Sequence, residues 1–206
     1  MSLEVHPGEV VGLLGENGSG KTTLLRILST LLRPSAGTVN IFGRDIAVAA
    51  SEVRDYVSFL AHTPGLYDDL TALENLRFAA EMAGGSLVNL RDLIERVGLA
   101  GVRDDRVRGF SSGMQRRLAL ARMILRRPRL LLLDEPYSNL DSDGIVLMNS
   151  VISEAKSTGC ASIIVLHELS PAAGILDRTV TIVDGRVGGP SLSSGSRPKS
   201  AAGGIG

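Results

Sequence analysis

Short apolar runs and stretches with helical apolar spacing alternate along most of the chain. Residues 9–14 form a short apolar run, which predicts a buried strand, and residues 24–32 have the apolar spacing of a helix. Residues 38–42 alternate and are β-branched, so they predict another strand, whereas the continuous apolar run 130–133 predicts a strand buried on both faces. The pattern predicts further strands at 2–5, 56–60 and 162–166, helices at 51–55, 145–156 and 170–176, and a hairpin over 179–187.

The pattern becomes helical between about residues 68 and 112. Thr71 followed by Glu74 predicts a helix that starts with a capping box. A second helix is predicted over 87–97, and a third follows Gly113. We therefore expect an α/β fold whose mainly parallel sheet carries an inserted helical subdomain.

The composition changes near the end of the chain. Residues 1–187 have the mixture of apolar and polar positions expected of one domain. Residues 188–206 consist mostly of Gly, Ser, Pro and Ala, which is typical of a disordered tail.

A glycine-rich loop joins the first predicted strand to the first predicted helix. It fits the phosphate-loop pattern at every fixed position, with the sequence Gly15, Glu16, Asn17, Gly18, Ser19, Gly20, Lys21, Thr22, Thr23. Such glycines let backbone N–H groups surround a phosphate, and the following helix directs its positive dipole end to the same place. We expect Lys21 at the β- and γ-phosphates of a nucleotide and Thr22 as a Mg²⁺ ligand. The simpler alternative is a glycine-rich turn that only connects a strand to a helix.

Two acids follow the apolar run 130–133. In an open parallel sheet, ligands collect at the carboxyl ends of strands, so Asp134 and Glu135 should face the phosphate loop. We expect Asp134 to hold Mg²⁺ through water and Glu135 to orient or deprotonate an attacking water. Alternatively, the two acids only mark the exit of the strand to solvent.

A third motif surrounds Ser111 and Gly113. It has the composition of a helix N-terminus with free N–H groups and hydroxyls, which predicts a second anion site. A capped surface helix explains the same residues.

The composition limits the classes of partner. Lys and Arg together number 22, as do Asp and Glu, and aromatic residues make up 3% of the chain, so we expect no nucleic-acid partner. Cys160 is the only cysteine, which excludes an intramolecular disulfide and suits a reducing cytoplasm. No apolar run approaches the ~20 residues that span a bilayer, so we expect a soluble chain that could still dock on a membrane partner.

Taken in order, these motifs resemble the ATP-binding subunit of an ABC transporter. The residues that carry the resemblance are Gly15 to Thr23, Phe110 to Gln115, Leu133 to Pro136, Ser138 to Asp141 and Val165 to His167. The resemblance implies a phosphate-loop NTPase core with a reduced N-terminal antiparallel β part. It also implies ATP and Mg²⁺ as cofactors, a membrane-spanning partner subunit, and a cytoplasmic position at the inner face of the cell membrane.

The family resemblance also assigns roles to individual residues. Ser111 and Gly113 correspond to the signature that contacts the γ-phosphate held by a second copy or a homologous subunit. Asp141 matches a loop that communicates across this dimer, and His167 matches the switch histidine at the γ-phosphate. Together with Glu135, His167 is an expected catalytic residue.

A narrower resemblance lies in residues 62–65 and 70–78. They are similar to the ATP-binding subunit of the haem exporter of cytochrome c maturation. The family usually has Gln at the position of His62, and we expect His62 to be a residue of the nucleotide site. Because Mg²⁺ prefers oxygen ligands, we expect a water-mediated contact or a coupling role for His62.

The start of the chain departs from the family pattern. Fourteen residues precede Gly15 and none is aromatic, whereas the family has an aromatic residue there that stacks on adenine. We therefore expect weakened ATP binding with poor discrimination against GTP, and a truncated regulatory module with little ATPase activity is the alternative function. A GTPase switch would need an Asn-Lys pair, which this sequence lacks, and a soluble two-cassette ABC protein would exceed 206 residues.

Overall fold

The computed structural model describes residues 2–85 and 89–188. The strands are β1 Val10–Leu14, β2 Asn40–Ile41, β3 Arg44–Asp45, β4 Val57–Leu60, β5 Leu130–Asp134, β6 Ala161–Val165, β7 Arg178–Val183 and β8 Arg186–Val187. The α-helices are α1 Lys21–Leu28, α2 Ile46–Arg54, α3 Ala72–Met82, α4 Leu90–Arg96, α5 Ser112–Ile124 and α6 Ser142–Ser157. Three 3₁₀ turns lie at Ala100–Val102, Val107–Gly109 and Ser170–Ala172.

The main sheet has the order β4-β5-β6-β1-β7-β8 and is parallel except for the final hairpin. Asp134 pairs with Val165, and Leu14 pairs with Thr181, so the carboxyl ends of these strands lie level. The segments that leave β1, β4, β5 and β6 therefore emerge at the same end of the sheet. Together with the separate β2–β3 pair, this arrangement confirms the predicted α/β fold with a mainly parallel sheet.

Helices cover both faces of the sheet, and β5 shows how its sequence requires this. Leu131 and Leu133 belong to one apolar cluster with Ile152 of α6. Leu132, which points to the other face, clusters with Leu25 of α1. A continuous apolar strand is stable only when both faces are buried, and this confirms the prediction made from residues 130–133.

A third apolar cluster joins α3, α4 and α5 beside the sheet, between β4 and β5 in the chain. A capping box sets the start of α3, the first helix of this group. The Thr71 hydroxyl accepts a bond of 3.1 Å from the Glu74 N–H, and the Glu74 carboxylate accepts one of 2.8 Å from the Thr71 N–H. The predicted cap is therefore confirmed, while the division into a domain at 1–187 and a subdomain at 68–112 stays a prediction.

Some predicted elements are wrong or misplaced. Residues 2–5 do not form a strand; Leu3 and Val5 are partly buried because they pack against the apolar cluster on one face of the sheet, without strand pairing. The helix predicted at 51–55 is the second part of α2, after a kink at Ala49; the first part begins at Ile46, where the Asp45 side chain accepts a 2.8 Å bond from the Ala47 N–H. The helix predicted at 170–176 is reduced to the 3₁₀ turn at Ser170–Ala172.

Two predicted segments fall partly outside the described residues. These are the tail at 188–206, beyond Gly188, and residues 86–88 near the start of the predicted second helix. Within the described ranges, no helix is both long enough and apolar enough to cross a membrane.

Candidate nucleotide site

The phosphate loop is shaped by glycines with positive φ. Gly15, Gly18 and Gly20 have φ angles of 147°, 81° and 103°. A Cβ atom on Gly15 would lie 2.4 Å from the Ile182 carbonyl oxygen, so no side chain fits at this position. Gly20 is also the N-cap of α1 and makes no side-chain cap bond, which leaves the first N–H groups of the helix directed at the loop.

Lys21 lies inside the loop and is 6% exposed. Its ammonium group donates bonds of 2.8 Å to the carbonyl oxygens of Gly15 and Glu16. An ammonium group has three donors, so one remains for a phosphate oxygen. The loop thus holds a buried positive charge beside free helix N–H groups, which is an arrangement suited to a phosphate chain.

The Thr22 hydroxyl joins α1 to the end of β5. It donates to the two carboxylate oxygens of Asp134 at 3.0 and 3.2 Å. Asp134 is 2% exposed, and burial raises its pKa above the ordinary value, with a further increase from the charge of Glu135 and an opposing effect of the Thr22 bond. A buried carboxylate next to a hydroxyl therefore favours a cation at this point.

These two oxygen donors fit Mg²⁺, which prefers oxygen ligands and usually keeps several waters. The described part of the chain contains no cluster of three or more His, Cys, Asp or Glu side chains that could hold a metal ion alone. Thr22 and Asp134 would therefore share the ion with water and nucleotide phosphates, as Mg²⁺ sites in nucleotide-binding proteins commonly do.

Glu135 is held by several side chains in an uncommon backbone conformation. Its φ is 51°, which is costly for a residue other than glycine. One carboxylate oxygen lies 2.6 Å from Nε2 of His167, and the other lies 3.4 Å from Nδ1 of His62 and 3.4 Å from the Ser138 hydroxyl. Burial acts to raise the pKa of Glu135, but the bond and charge of His167, with contributions from His62 and Ser138, lower the pKa overall. Glu135 is thus ionised at neutral pH and can accept a proton or a hydrogen bond.

The structure brings His62, Thr22, Asp134 and Glu135 to one cleft of about 330 Å³ at the carboxyl end of the sheet. His167 reaches the same place through Glu135. The sequence motifs that are far apart in the chain therefore meet at the phosphate loop, as their positions after parallel strands predicted.

Ser111, Gly113 and Asp141 lie together elsewhere. The Ser111 hydroxyl caps α5 by accepting a 3.2 Å bond from the Met114 N–H, and a Cβ atom on Gly113 would lie 2.9 Å from the Asn139 carbonyl oxygen. Among the described residues, no hydrogen bond or ion pair joins this group to the phosphate loop. Ser111 is thus the N-cap of α5, and the anion site expected at Ser111 and Gly113 stays a prediction.

Asp141 connects this second group to two helices. Its carboxylate accepts a 2.8 Å bond from the Gly144 N–H at the start of α6 and a 2.6 Å bond from Arg117 of α5. The Gly144 bond and the Arg117 bond lower the pKa of Asp141. Asp141 is therefore a charged cap that fixes the N-terminus of α6 against α5.

A part-buried polar chain that sequence reasoning missed lies between the segments that follow Glu135 and His167. The Tyr137 hydroxyl donates a 2.6 Å bond to the Asn149 side chain, which in turn donates a 2.7 Å bond to the Pro171 carbonyl. Burial raises the pKa of Tyr137 far above its usual value. The chain links the segment after β5 to the segment after β6, and the one sequence signal for it is an asparagine within the otherwise apolar stretch of α6.

Comparison with known proteins identifies the class to which this fold and site belong. The family model described as "ABC transporter" matches residues 1–138. The structure described as "Structure of ATP binding subunit of ABC transporter" is 30% identical, covers 92% of this chain and 81% of its own, and superposes with a TM-score of 0.83. The chain belongs to the ABC transporter family, as an ATP-binding subunit.

Two named relatives and a second solved structure are also similar to this chain. The cytochrome c biogenesis ATP-binding export protein CcmA of Xanthomonas axonopodis pv. citri is 39% identical over 88% of this chain and 85% of its own. The uncharacterized ABC transporter ATP-binding protein YdbJ of Bacillus subtilis is 38% identical over 91% of this chain, which spans 61% of that relative. A dimeric structure of the ATP-binding cassette MJ0796, bound to ADP and Pi after hydrolysis, is 25% identical over 92% of this chain and 88% of its own, with a TM-score of 0.81.

We predict that Asp134→Asn raises the free energy of unfolding at pH 7 while it impairs Mg²⁺ binding. The folded-state pKa of Asp134 is raised above the unfolded value of 3.8, so its ionisation costs stability as pH rises through the folded-state pKa. Asparagine keeps an oxygen that accepts the Thr22 bond but carries no charge. Urea denaturation in EDTA at pH 7 should therefore show a higher midpoint for the variant, and the difference should shrink below the unfolded pKa.

The control for this prediction is Asp68→Asn, at an exposed carboxylate, which should shift the midpoint little. A lower midpoint for Asp134→Asn than for the wild type at pH 7 would contradict the assignment of Asp134 as a carboxylate that burial disfavours.

Proposed function

We propose that this chain hydrolyses ATP to power transport by a membrane-embedded partner. The observation that carries the proposal is the position of Glu135, ionised and fixed by His167, next to the Thr22–Asp134 pair at the phosphate loop. These residues would supply a phosphate cradle, a magnesium site and a proton acceptor, which are the parts that phosphoryl transfer to water requires.

In the proposed reaction, Lys21 and the loop N–H groups bind the β- and γ-phosphates. Thr22 and Asp134 would hold Mg²⁺, which neutralises charge on the phosphate oxygens when bound. The oxygen of a water forms a bond to the γ-phosphorus while the bond to the β–γ bridging oxygen breaks, and ADP leaves with that electron pair. Glu135 orients this water and accepts its proton, so the products are ADP and inorganic phosphate.

His167 has two roles in this proposal. Through Nε2 it fixes the carboxylate of Glu135, and the 2.6 Å contact supports this role. The family resemblance supports a second role, in which His167 donates to the γ-phosphate once ATP is bound. His62, which is exposed and lies 3.4 Å from Glu135, is a neighbour of the proton acceptor rather than a direct metal ligand.

We predict that Glu135→Gln keeps ATP binding but slows turnover by roughly 10²–10⁴-fold, the usual contribution of a positioned acid–base group. The matched control is Glu168→Gln, which changes an exposed carboxylate in the segment after His167. Phosphate release and fluorescent-nucleotide titration measure the two effects. Near-wild-type turnover in Glu135→Gln would remove this residue from the chemistry, and a wild-type chain that binds ATP without turnover would favour the regulatory alternative.

We propose further that ATP joins two nucleotide-binding subunits. Ser111 and Gly113 offer an anion site that makes no bond to the phosphate loop of their own chain, so a second copy or a homologous subunit would supply the phosphate that they contact. Asp141 lies near the same surface, because the Asn139 carbonyl lies against Gly113 and Arg117 of α5 donates a bond to Asp141. The dimeric MJ0796 relative supports this arrangement.

We predict that Glu135→Gln is mainly monomeric without nucleotide and dimeric with Mg-ATP, because slow hydrolysis preserves the γ-phosphate that holds the two chains together. Analytical ultracentrifugation measures the change. In the same background, Ser111→Arg should stay monomeric with Mg-ATP, since its side chain would fill the anion site. If Glu135→Gln remains monomeric at high concentration with Mg-ATP, the dimer proposal fails.

A groove of about 390 Å³ between β4, α3 and α5 supports a membrane-spanning partner. Its rim carries apolar side chains that are unusually exposed for their type, with Leu31 at 63%, Tyr67 at 51% and Met82 at 74%. Arg54 and Arg126 add positive charge to the same groove. We propose that a segment of the membrane subunit with apolar and acidic side chains binds here, which would hold the chain at the inner face of the membrane.

Haem export in cytochrome c maturation is the specific process that we propose, supported by the 39% identity to CcmA. We predict that this chain restores covalent haem in c-type cytochromes to a bacterial strain without its own CcmA. Met82→Ser should reduce that restoration because it removes apolar contact from the groove, whereas Val48→Ser, at a residue 89% exposed on α2, should not.

Haem staining of the membrane fraction measures the result. Equal restoration by Met82→Ser and Val48→Ser would argue against the groove, and no restoration by the wild type, with the protein expressed and folded, would argue against haem export.

A further inference from the structure

The segment that follows β4 is held by two arginines of α5. Arg116 donates bonds of 2.9 and 3.0 Å to the carbonyl oxygens of Ala61 and His62. Arg122 donates two bonds of 2.6 Å to the carbonyl oxygens of Gly65 and Pro64. Each guanidinium thus satisfies two backbone acceptors of the same short segment.

Arg116 occupies a position that is unusual for a charged residue. It is 2% exposed, and it lies on the face of α5 that also buries Ala119, Leu120 and Met123. Burial lowers its pKa, while the charges of Glu135 and Asp134 oppose that effect. Burying a cation is costly, so the bonds of Arg116 point to a backbone segment whose position has to be held.

The group that these bonds fix is the backbone of His62. Nδ1 of His62 lies 3.4 Å from the carboxylate of Glu135, although 61% of the His62 side chain is exposed. An exposed imidazole has several rotamers and a mobile loop would add more, so its position against Glu135 depends on the backbone that carries it. Arg116 is the described side chain that bonds to the His62 carbonyl.

We propose that Arg116 is a positioning residue for ATP hydrolysis, which fixes the His62 backbone so that the imidazole stays against Glu135. This inference rests on the proposed function, since it concerns the efficiency of the reaction at Glu135. A guanidinium is required because its planar fork reaches two successive carbonyl oxygens at once, whereas an ammonium is a point charge on a flexible stem.

The direct test compares Arg116→Lys with Arg122→Lys in the full chain. Both variants keep the charge and disturb the same segment, but Arg122 holds its far end, at Pro64 and Gly65. We expect Arg116→Lys to lower kcat for ATP hydrolysis by about 10- to 100-fold, as small displacements of positioned groups do. The KM for ATP should change by less than about threefold, because the phosphate-binding groups are untouched. Arg122→Lys should lower kcat several-fold less.

A double-mutant cycle with His62→Ala separates positioning from general structural support. If Arg116 acts through His62, then Arg116→Lys should reduce kcat by less than about threefold in the His62→Ala background. If Arg116 only stabilises the fold, the same substitution should cause its full loss in both backgrounds, and the proposal is overturned.

The outcomes distinguish this inference from the function on which it rests. A wild-type chain without ATP hydrolysis contradicts the proposed function. If the wild-type chain hydrolyses ATP but Arg116→Lys has the same kcat as the wild type, only the role of Arg116 is contradicted. The same holds if Arg116→Lys and Arg122→Lys lose kcat equally. Circular dichroism establishes folding, and if Arg116→Lys does not fold, Arg116→Gln is judged by the same criteria, since its amide can bond to one of the two carbonyls.

Discussion

The burial of the Asp134 charge at the end of an apolar strand is the constraint on which the site depends. The strand has to be apolar because helices cover both faces of the sheet, yet it ends in a carboxylate that is almost wholly removed from water. Its protein partner is the hydroxyl of Thr22, which brings the first turn of α1 and the phosphate loop against the end of β5. A buried charge with so little compensation favours a cation, and this connects the fold to the magnesium chemistry.

Some backbone and charge arrangements near this carboxylate cost stability. Glu135 and Asn139, which are not glycines, have φ angles of 51° and 61° in the turn that follows β5. Lys21 is buried in the loop, and Arg116 is buried beneath the loop that carries His62. Strained backbone and buried charges persist where the rest of the structure enforces them, and here the Tyr137–Asn149 chain and the strand register do so. Stability has been sacrificed at the place where phosphate, metal and water would meet.

The sequence predicted the parts of the structure that depend on local patterns. The phosphate loop needs glycines at fixed spacing, the capping box needs Thr71 and Glu74, and a strand buried on both faces needs the continuous apolar run at 130–133. The sequence also predicted that Asp134 faces the phosphate loop, because parallel strands bring their carboxyl ends together.

The remaining features depend on contacts between distant segments. Nothing local to residues 61–65 indicates that two arginines more than fifty residues later would hold their carbonyl groups, although a charged residue on the apolar face of α5 was a signal that could have been read. Residues 2–5 looked like a strand because burial against a sheet selects the same apolar residues as strand pairing does. Local pattern therefore identified the chemical groups of the site, while their support came from the tertiary structure.

The most direct measurement of the central claim is phosphate release from Mg-ATP by the purified full chain beside its Lys21→Met variant. Lys21→Met removes the buried ammonium that is bonded to Gly15 and Glu16, and it also serves as the control for a contaminating ATPase. The account predicts steady phosphate release by the wild type that depends on Mg²⁺ and is absent from the variant. Equal release by both proteins, or none by a wild-type chain that is folded and binds ATP, would contradict it.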